Sequence, residues 1–167
     1  MPDLARFAAR LPAAGGSYLL VLRLAEDTAL QAGALGEFLL PAGTYVYAGS
    51  ARGPGGVRAR VMRHLRGGGA MHWHIDFLSR RAQVAAVWAR TGPQRLECVW
   101  AQALARHSLF TAPAPRFGAS DCRCPSHLWH TKAAAAELDQ ALARLAEAPE
   151  RLWQNDWGTY RDGEAHS

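Results

Sequence analysis

Apolar positions follow two spacings along this chain: near-continuous runs and helical repeats. SYLLVLRL, residues 17–24, is almost wholly apolar and predicts a central strand covered on both faces. AQVAAVWA, residues 82–89, predicts a second strand, which the turn residues RTGP follow. GEFLLPAGTYVYAGS predicts a hairpin, because a Pro-Ala-Gly turn separates a short apolar run from a strand over residues 44–48. A further short strand is expected over residues 127–130.

The helical repeats lie between and after these runs. Apolar stripes predict helices over residues 4–11, 57–65 and 94–107, and an alanine-rich amphipathic pattern predicts another over residues 132–147. HWHIDFLSRR fits neither spacing clearly. Together these elements predict a small α/β (α+β) domain, in which a mixed, mainly antiparallel sheet is flanked by helices and a C-terminal helix follows.

Composition narrows the class of protein. A chain of 167 residues with 49% hydrophobic residues is long enough to bury a core as one domain without disulfides. No apolar run approaches the ~20 residues that cross a bilayer, and the first residues lack the apolar core of a signal peptide. The three cysteines form no disulfide framework. We therefore expect a cytoplasmic protein without a membrane partner.

Charge is distributed unevenly along the chain. Between residues 38 and 136 there are twelve arginines and Lys132, but only three carboxylates: Asp76, Glu97 and Asp121. A preference for arginine codons would explain why arginine replaces lysine, but it would not explain the missing carboxylates. A segment this basic attracts polyanions, so the sequence predicts a nucleic acid as partner.

Five polar side chains can meet within the predicted fold. Tyr18 and Tyr47 lie on strands and can share one face of the sheet. Arg60 and His64 are one helical turn apart, at the margin of the packing stripe of their helix. Glu97 lies in the first turn of a later helix. All five converge if the two helices flank one face of the sheet, although each alone is also typical of an ordinary core or surface position.

The order of these residues resembles the GIY-YIG nuclease superfamily. The first motif reads GSY, residues 16–18, and the second reads YAG, residues 47–49. RVMRH, residues 60–64, supplies an arginine with a histidine four positions later. Glu97 stands where that superfamily has a metal-binding glutamate.

The resemblance implies a metal-dependent nuclease that hydrolyses phosphodiester bonds in nucleic acid, in DNA more than RNA, with a role in DNA repair. Arg60 would brace the phosphate, and one Mg²⁺ or Mn²⁺ ion on Glu97 would polarise it. Tyr18 or Tyr47, with its phenol pKa lowered by nearby cations, would take a proton from water. His64 would assist as a relay or alternative base.

Substrate contacts are expected around the glycine-rich turn that joins the second motif to its helix. The residues expected to make them are Gly49, Ser50, Arg52 and Arg58. The superfamily also carries a late asparagine near the site. The only asparagine of this chain, Asn155, lies in the tail, so GASDC (residues 118–122) is the candidate replacement.

A closer likeness exists within that superfamily. LPAGTYVYAGSARG, HWHIDFL and FGASDCRCPSHL are similar to an uncharacterised branch of small prokaryotic domains, a domain of unknown function that is fused to endonuclease III in some archaea. This likeness extends to about Trp129, and from the length of the chain we expect one domain over residues 1–167. Residues 15–131 would form its GIY-YIG-like core, and residues 132–167 the C-terminal amphipathic helix and tail.

Two histidine-rich segments offer an alternative metal site. His72, His74 and Asp76 resemble the HxHxDH motif of metallo-β-lactamase-like hydrolases, but Phe77 replaces the last histidine. DCRCPSH, which contains Asp121, Cys122, Cys124 and His127, offers three soft ligands for zinc. The fourth ligand would have to come from elsewhere, with His72, His74 and Cys98 as candidates. The other interpretation is that these cysteines are small buried apolar residues.

A second class of function needs no metal. The basic middle of the chain also fits a non-catalytic nucleic-acid-binding module, in which a surface tryptophan stacks on bases. Salt-sensitive binding without cleavage would separate this function from a nuclease.

Overall fold

The computed structural model describes residues 3–66 and 74–155. The α-helices in these ranges are α1 Leu4–Ala9, α2 Gly56–Arg66, α3 His74–Ser79, α4 Glu97–Ala105 and α5 Ala135–Ala143. The strands are β1 Gly16–Leu24, β2 Thr28–Gln31, β3 Glu37–Leu40, β4 Gly43–Ala51, β5 Gln83–Thr91, β6 Phe110–Thr111, β7 Leu128–Thr131 and β8 Glu150–Gln154.

Six strands form one antiparallel sheet in the order β6-β7-β4-β1-β5-β8. Strands β1 and β4 pair along their whole length, with Tyr18 opposite Gly49 and Leu20 opposite Tyr47. These strands read as continuous apolar runs because both faces of the sheet are covered. The predicted α+β fold, a mainly antiparallel sheet flanked by helices, is confirmed.

The helices divide between the two faces of the sheet. On one face, Tyr18, Leu20 and Tyr47 pack in a core with residues of α1, α2 and α3. On the other face, Leu19 and Ala48 pack in a second core with residues of α4 and α5. Helices α2 and α4 therefore lie on opposite faces, which contradicts the expectation that both flank the same one.

Two connections differ from the predicted ones. Strand β3 pairs with β2 as a separate two-stranded sheet, so the hairpin predicted between β3 and β4 is wrong. Residues 41–43 instead carry the chain into the six-stranded sheet, where the backbone N–H of Ala42 donates to Asp27 Oδ1 at 2.8 Å. In the tail, β8 pairs with β5 and forms the edge of the sheet. No helix in residues 3–66 and 74–155 is long and apolar enough to cross a bilayer.

Candidate functional site

Tyr18 and His64 are joined in the core between β1 and α2. The Tyr18 hydroxyl lies 2.8 Å from Nε2 of His64, and both side chains are buried. The Tyr18 ring packs directly over Gly49 on the paired strand. A Cβ at Gly49 would overlap the ring and hydroxyl of Tyr18, so only glycine leaves room for the tyrosine there.

Asp76 of α3 completes a chain of three polar side chains. Its Oδ1 lies 3.5 Å from Nδ1 of His64, while its Oδ2 is 3.0 Å from Nη2 of Arg63. A carboxylate only accepts, so Nδ1 of His64 carries the proton and Nε2 accepts from the Tyr18 hydroxyl. Burial lowers the pKa of His64, although Asp76 opposes that shift. His64 is therefore a neutral proton acceptor at neutral pH.

Tyr47 lies beside this chain, with its ring centroid 6.4 Å from that of Tyr18. Burial raises the pKa of both phenols well above the ordinary value, and the positive charge of Arg60 opposes the shift only in part. The expected lowering of the tyrosine pKa by neighbouring cations is therefore wrong. Desolvation of a buried phenolate outweighs the attraction of a half-exposed guanidinium.

Glu97 lines the same cleft as the two tyrosines, although its helix packs on the opposite face of the sheet. It begins α4, and Ser17 at the start of β1 holds it there. The Ser17 hydroxyl donates to Glu97 Oε2 at 3.0 Å and accepts from the backbone N–H of Leu96 at 2.9 Å. The N-terminus of α4 thus presents its carboxylate beside the first residues of β1.

These groups line one cleft of about 420 Å³. Three guanidinium groups and two carboxylates face it together with the tyrosines, so positive charge exceeds negative charge. Its lining includes Tyr18, Tyr47, Gly49, Ser50, Arg52, Arg60, Arg95, Glu97, Gly118 and Asp121. His64 lies behind Tyr18 and contacts the cleft only through it.

The expected substrate-binding residues separate into two groups. Gly49, Ser50 and Arg52 line the cleft, and Arg52 also donates to the carbonyls of Gly92 and Gln94. Arg58 is not brought into the cleft. Its Nε donates to the carbonyls of Ala8 and Leu11, because α2 at that position faces α1.

A second cluster of ligand-type side chains borders the same cleft. Cys98, Cys122, Cys124 and His127 place their sulfur and nitrogen atoms within 4.8 Å of one another, an arrangement that can hold a metal ion such as zinc. Nε2 of His127 lies 3.7 Å from Cys98 Sγ and 3.3 Å from Cys122 Sγ. We call these four residues the Cys₃His cluster.

The other predicted ligands lie elsewhere. His74 accepts a hydrogen bond from the backbone N–H of Gly118 at 2.8 Å, and Asp76 contacts His64 and Arg63. Asp121 lines the cleft outside the Cys₃His cluster. His72 is outside the described residues. The predicted HxHxDH-like site is therefore not assembled by His74 and Asp76.

Cys124 is buried, and Cys98 and Cys122 are partly buried. Burial raises the pKa of Cys98, and the neighbouring Cys124 and Cys122 raise it further. Burial also raises the pKa of Cys124. A thiolate at either position therefore needs a cation beside it.

Two contributors to the site escape the sequence patterns. Ser17 reads as one more residue of an apolar strand, and its role depends on where α4 begins. Asp76 reads as a metal ligand because histidines surround it in the sequence, whereas its contacts are with α2. One sequence feature could have drawn attention to Asp76: it is one of only three carboxylates between residues 38 and 136.

Comparison with known proteins places the chain in a family. A family model described as a domain of unknown function, DUF123, matches residues 17–149. Searches of curated proteins and of solved structures each found no match. The matched range runs from β1 through α5 and contains the cleft and the Cys₃His cluster. The chain therefore belongs to the DUF123 family of domains of unknown function.

Proposed function

We propose that this domain is a GIY-YIG-type nuclease that hydrolyses phosphodiester bonds in nucleic acid with the help of a divalent cation. The observation that carries the proposal is the meeting of Tyr18, Tyr47, Arg60 and Glu97 around one cleft of about 420 Å³. These residues come from two strands and two helices on opposite faces of the sheet. Core packing alone does not require a basic group, a carboxylate and two phenols at one strand end.

The guanidinium groups of the cleft suit a phosphodiester. Arg60 projects from α2, while Arg52 and Arg95 lie in the loops beside β4 and α4. A phosphodiester resists attack because the nucleophile approaches a negative charge. Fixed positive charge is most effective as further charge develops on the phosphoryl oxygens. Arg60 would bind one such oxygen, and Arg95 would contact the flanking backbone.

The carboxylates of the cleft fit Mg²⁺ or Mn²⁺. Glu97 offers a half-buried hard oxygen ligand that Ser17 orients at 3.0 Å, and Asp121 offers a second carboxylate on the same cleft. Mg²⁺ is usually bound by one or two carboxylates and keeps several waters. When bound, the ion supplies Lewis-acid polarisation of the scissile phosphate.

Tyr18, His64 and Asp76 offer a path for the proton of the attacking water. Tyr18 donates its phenolic proton to Nε2 of His64, 2.8 Å away, as its oxygen takes a proton from water in the cleft. Asp76 stabilises the imidazolium that results. The raised pKa of Tyr18 means that it acts as a relay in this path, and neutral His64 is the final acceptor.

The proposed substrate is DNA. The wider basic surface supports a polyanion, but several arginines serve the fold instead. Arg63 pairs with Asp76, Arg90 pairs with Glu147, and Arg116 donates to three backbone carbonyls. The attraction for nucleic acid is therefore concentrated at the cleft and the exposed loops beside it.

A non-catalytic nucleic-acid-binding module is the second candidate. It is favoured by the raised pKa of both phenols, since neither tyrosine is a ready base. The same basic cleft would then hold a backbone phosphate without a metal.

A cleavage assay separates the two functions. Wild-type protein is incubated with supercoiled plasmid, single-stranded DNA, a branched DNA junction and RNA, in Mg²⁺, Mn²⁺ or EDTA. We expect metal-dependent cleavage of DNA that falls by about a hundredfold or more in Glu97→Gln. Glu137→Gln is the matched control, because Glu137 is an exposed first-turn carboxylate of α5.

Each alternative outcome has a clear meaning. Cleavage by Glu97→Gln at the wild-type rate would overturn the nuclease proposal. Salt-sensitive binding with no cleavage of any of the four substrates would establish the binding module instead. Faster cleavage of RNA than of DNA would overturn the proposed substrate while leaving the reaction in place.

A further inference from the structure

We propose that the Cys₃His cluster is a structural zinc centre that joins α4, β4 and the loop before β7. Its ligands come from α4 and from residues 122–127, and each position supplies one donor atom. Three sulfurs and one imidazole nitrogen are a ligand set typical of closed, four-coordinate zinc sites. This centre is separate from the oxygen ligands of Glu97 and Asp121.

The geometry of His127 is the strongest observation. Its Nδ1 lies 2.8 Å from the carbonyl oxygen of Ala48. A carbonyl only accepts, so Nδ1 carries the hydrogen and the lone pair of the neutral ring is on Nε2. That lone pair faces the sulfurs of Cys98 and Cys122. A histidine that ligates a metal usually donates its other N–H to a carbonyl or carboxylate in this way.

Distances within the cluster fit a tetrahedral ion. Ligand bond lengths of zinc place nitrogen and sulfur ~3.6 Å apart and two sulfurs ~3.8 Å apart around the metal. The observed separations from His127 Nε2 are 3.7 Å to Cys98 Sγ and 3.3 Å to Cys122 Sγ. The four donor atoms lie within 4.8 Å of one another, so binding needs only a small inward movement of the side chains.

Surrounding groups support the charge and shape of such a centre. The guanidinium of Arg116 donates to the carbonyls of Cys124, Ala119 and Cys122 at 2.7, 2.6 and 2.6 Å. It thereby folds the loop so that both cysteines face inward. Three thiolates around Zn²⁺ leave a net negative charge, which the nearby guanidinium offsets. Gln102 also directs its amide Nε2 toward Cys124 Sγ at 4.0 Å.

The loop that carries two of the cysteines has no regular structure, so the contacts that hold it come from side chains and isolated backbone hydrogen bonds. The segment between β6 and β7 contains no helix or strand. It is held by Arg116 and by the backbone bonds of His127 to Phe117 and of Ala48 to His127. Zinc would add a link to α4 through Cys98. Cysteines that bind zinc must be deprotonated, so binding releases their protons to solvent.

The zinc centre would also fix part of the cleft, an inference that rests on the proposed function. Cys98 follows Glu97 directly on the first turn of α4. A bond from Cys98 to zinc would fix that turn relative to β4, and with it the direction of the Glu97 carboxylate. Zinc binding itself can be measured without any nuclease activity, so the two proposals can fail separately.

Metal analysis of the full-length protein tests the centre. Protein purified without chelators should contain about one zinc ion per chain. Cys98→Ser and Cys124→Ser should each reduce the zinc content by about tenfold or more. His107→Gln is the control that should retain it, since His107 is exposed and lies outside the Cys₃His cluster.

A second measurement uses only the wild-type protein, so it tests the centre even if the cysteine variants do not fold. Wild-type protein stripped of metal and reconstituted with Co²⁺ should develop thiolate-to-cobalt charge transfer and the visible absorption of tetrahedral cobalt. Zinc removal should also lower the melting temperature of the wild type. Native protein with three freely titrating thiols and no zinc, or with a disulfide between Cys122 and Cys124, would overturn the proposal.

Discussion

The Ser17 hydroxyl bridges the backbone N–H of Leu96 and the carboxylate of Glu97, at 2.9 and 3.0 Å. This pair of contacts joins the start of β1 to the start of α4 across the end of the sheet. It explains how a helix on one face presents its carboxylate to tyrosines on the other. The cleft is therefore assembled at a strand end rather than on a sheet face.

Ser17→Ala should disturb this junction. Ser17 is fully buried. Alanine at this position leaves the backbone N–H of Leu96 without an acceptor and removes the hydrogen bond that orients the Glu97 carboxylate. We expect the free energy of unfolding to fall by about 1–3 kcal/mol. We also expect a loss of cleavage beyond that due to unfolding. Urea denaturation and cleavage kinetics on the same preparation measure both. Ser126→Ala is the control for the effect on cleavage. Ser126 is equally buried, but its hydroxyl donates to the carbonyls of Ala114 and Leu128, so its loss should lower stability without the additional loss of cleavage.

Gly49→Ala should displace Tyr18. The added Cβ overlaps the tyrosine ring on the neighbouring strand, and the ring cannot move because His64 and the core surround it. Overpacking of this kind costs about 1–3 kcal/mol, which thermal denaturation would measure. Gly53→Ala is the matched control, because no atom lies within 4 Å of the position of its Cβ. Equal stability of the two variants would contradict this account of Gly49.

The sequence patterns predict much of the sheet. Continuous apolar runs identify β1 and β5 because these strands are covered on both faces, and the stripe of α2 identifies that helix to within one residue at each end. The pairing of β3 with β2 was not predicted, because β2 is a short strand with alternating exposure and so contains no continuous apolar run. The tail strand β8 was not predicted either, because it is an edge strand with little apolar content.

The site was predictable in its parts but not in its arrangement. The order of tyrosine, arginine, histidine and glutamate pointed to one cleft. Spacing alone could not reveal that Glu97 arrives from the opposite face, because that depends on where α4 begins relative to β1. The pKa of Tyr18 depends on burial, which outweighs the charge of Arg60. Local spacing cannot report such a balance between desolvation and charge.

Arg60→Ala should weaken binding of nucleic acid and make it less sensitive to salt. If Arg60 contacts a phosphate, its loss reduces the slope of log affinity against log salt concentration by about one counterion. Binding titrations at several salt concentrations, in EDTA to prevent cleavage, measure the slope. Arg144→Ala is the control, because Arg144 is exposed and directly follows α5, which packs on the opposite face. The same slope for Arg60→Ala and wild type would mean that Arg60 contacts no phosphate.

Stability should fall as the solution becomes acidic. Burial lowers the pKa of His64 and of His74, whereas an unfolded histidine titrates at about 6.5. Below that pH the unfolded chain binds protons that the folded chain does not, so the free energy of unfolding decreases as pH falls. Urea denaturation between pH 7.5 and about 5 should reveal this trend. His64→Gln should flatten it, while His107→Gln, at an exposed site, should not.

Asp76→Asn tests whether Asp76 takes part in the proton path or only in packing. The amide keeps the shape of the carboxylate but removes the charge that stabilises a protonated His64, from which Oδ1 lies 3.5 Å away. We expect cleavage to slow by about ten- to a hundredfold. The acid limb of its pH profile should also move to lower pH, because His64 then holds a proton less tightly. Arg63→Gln removes another partner of Asp76 but leaves the Asp76 charge beside His64. Because the charge of Arg63 lowers the pKa of His64, this variant should slow cleavage less and should move that limb slightly to higher pH rather than lower. If both variants slow cleavage equally with unchanged pH profiles, Asp76 acts only through its ion pair with Arg63.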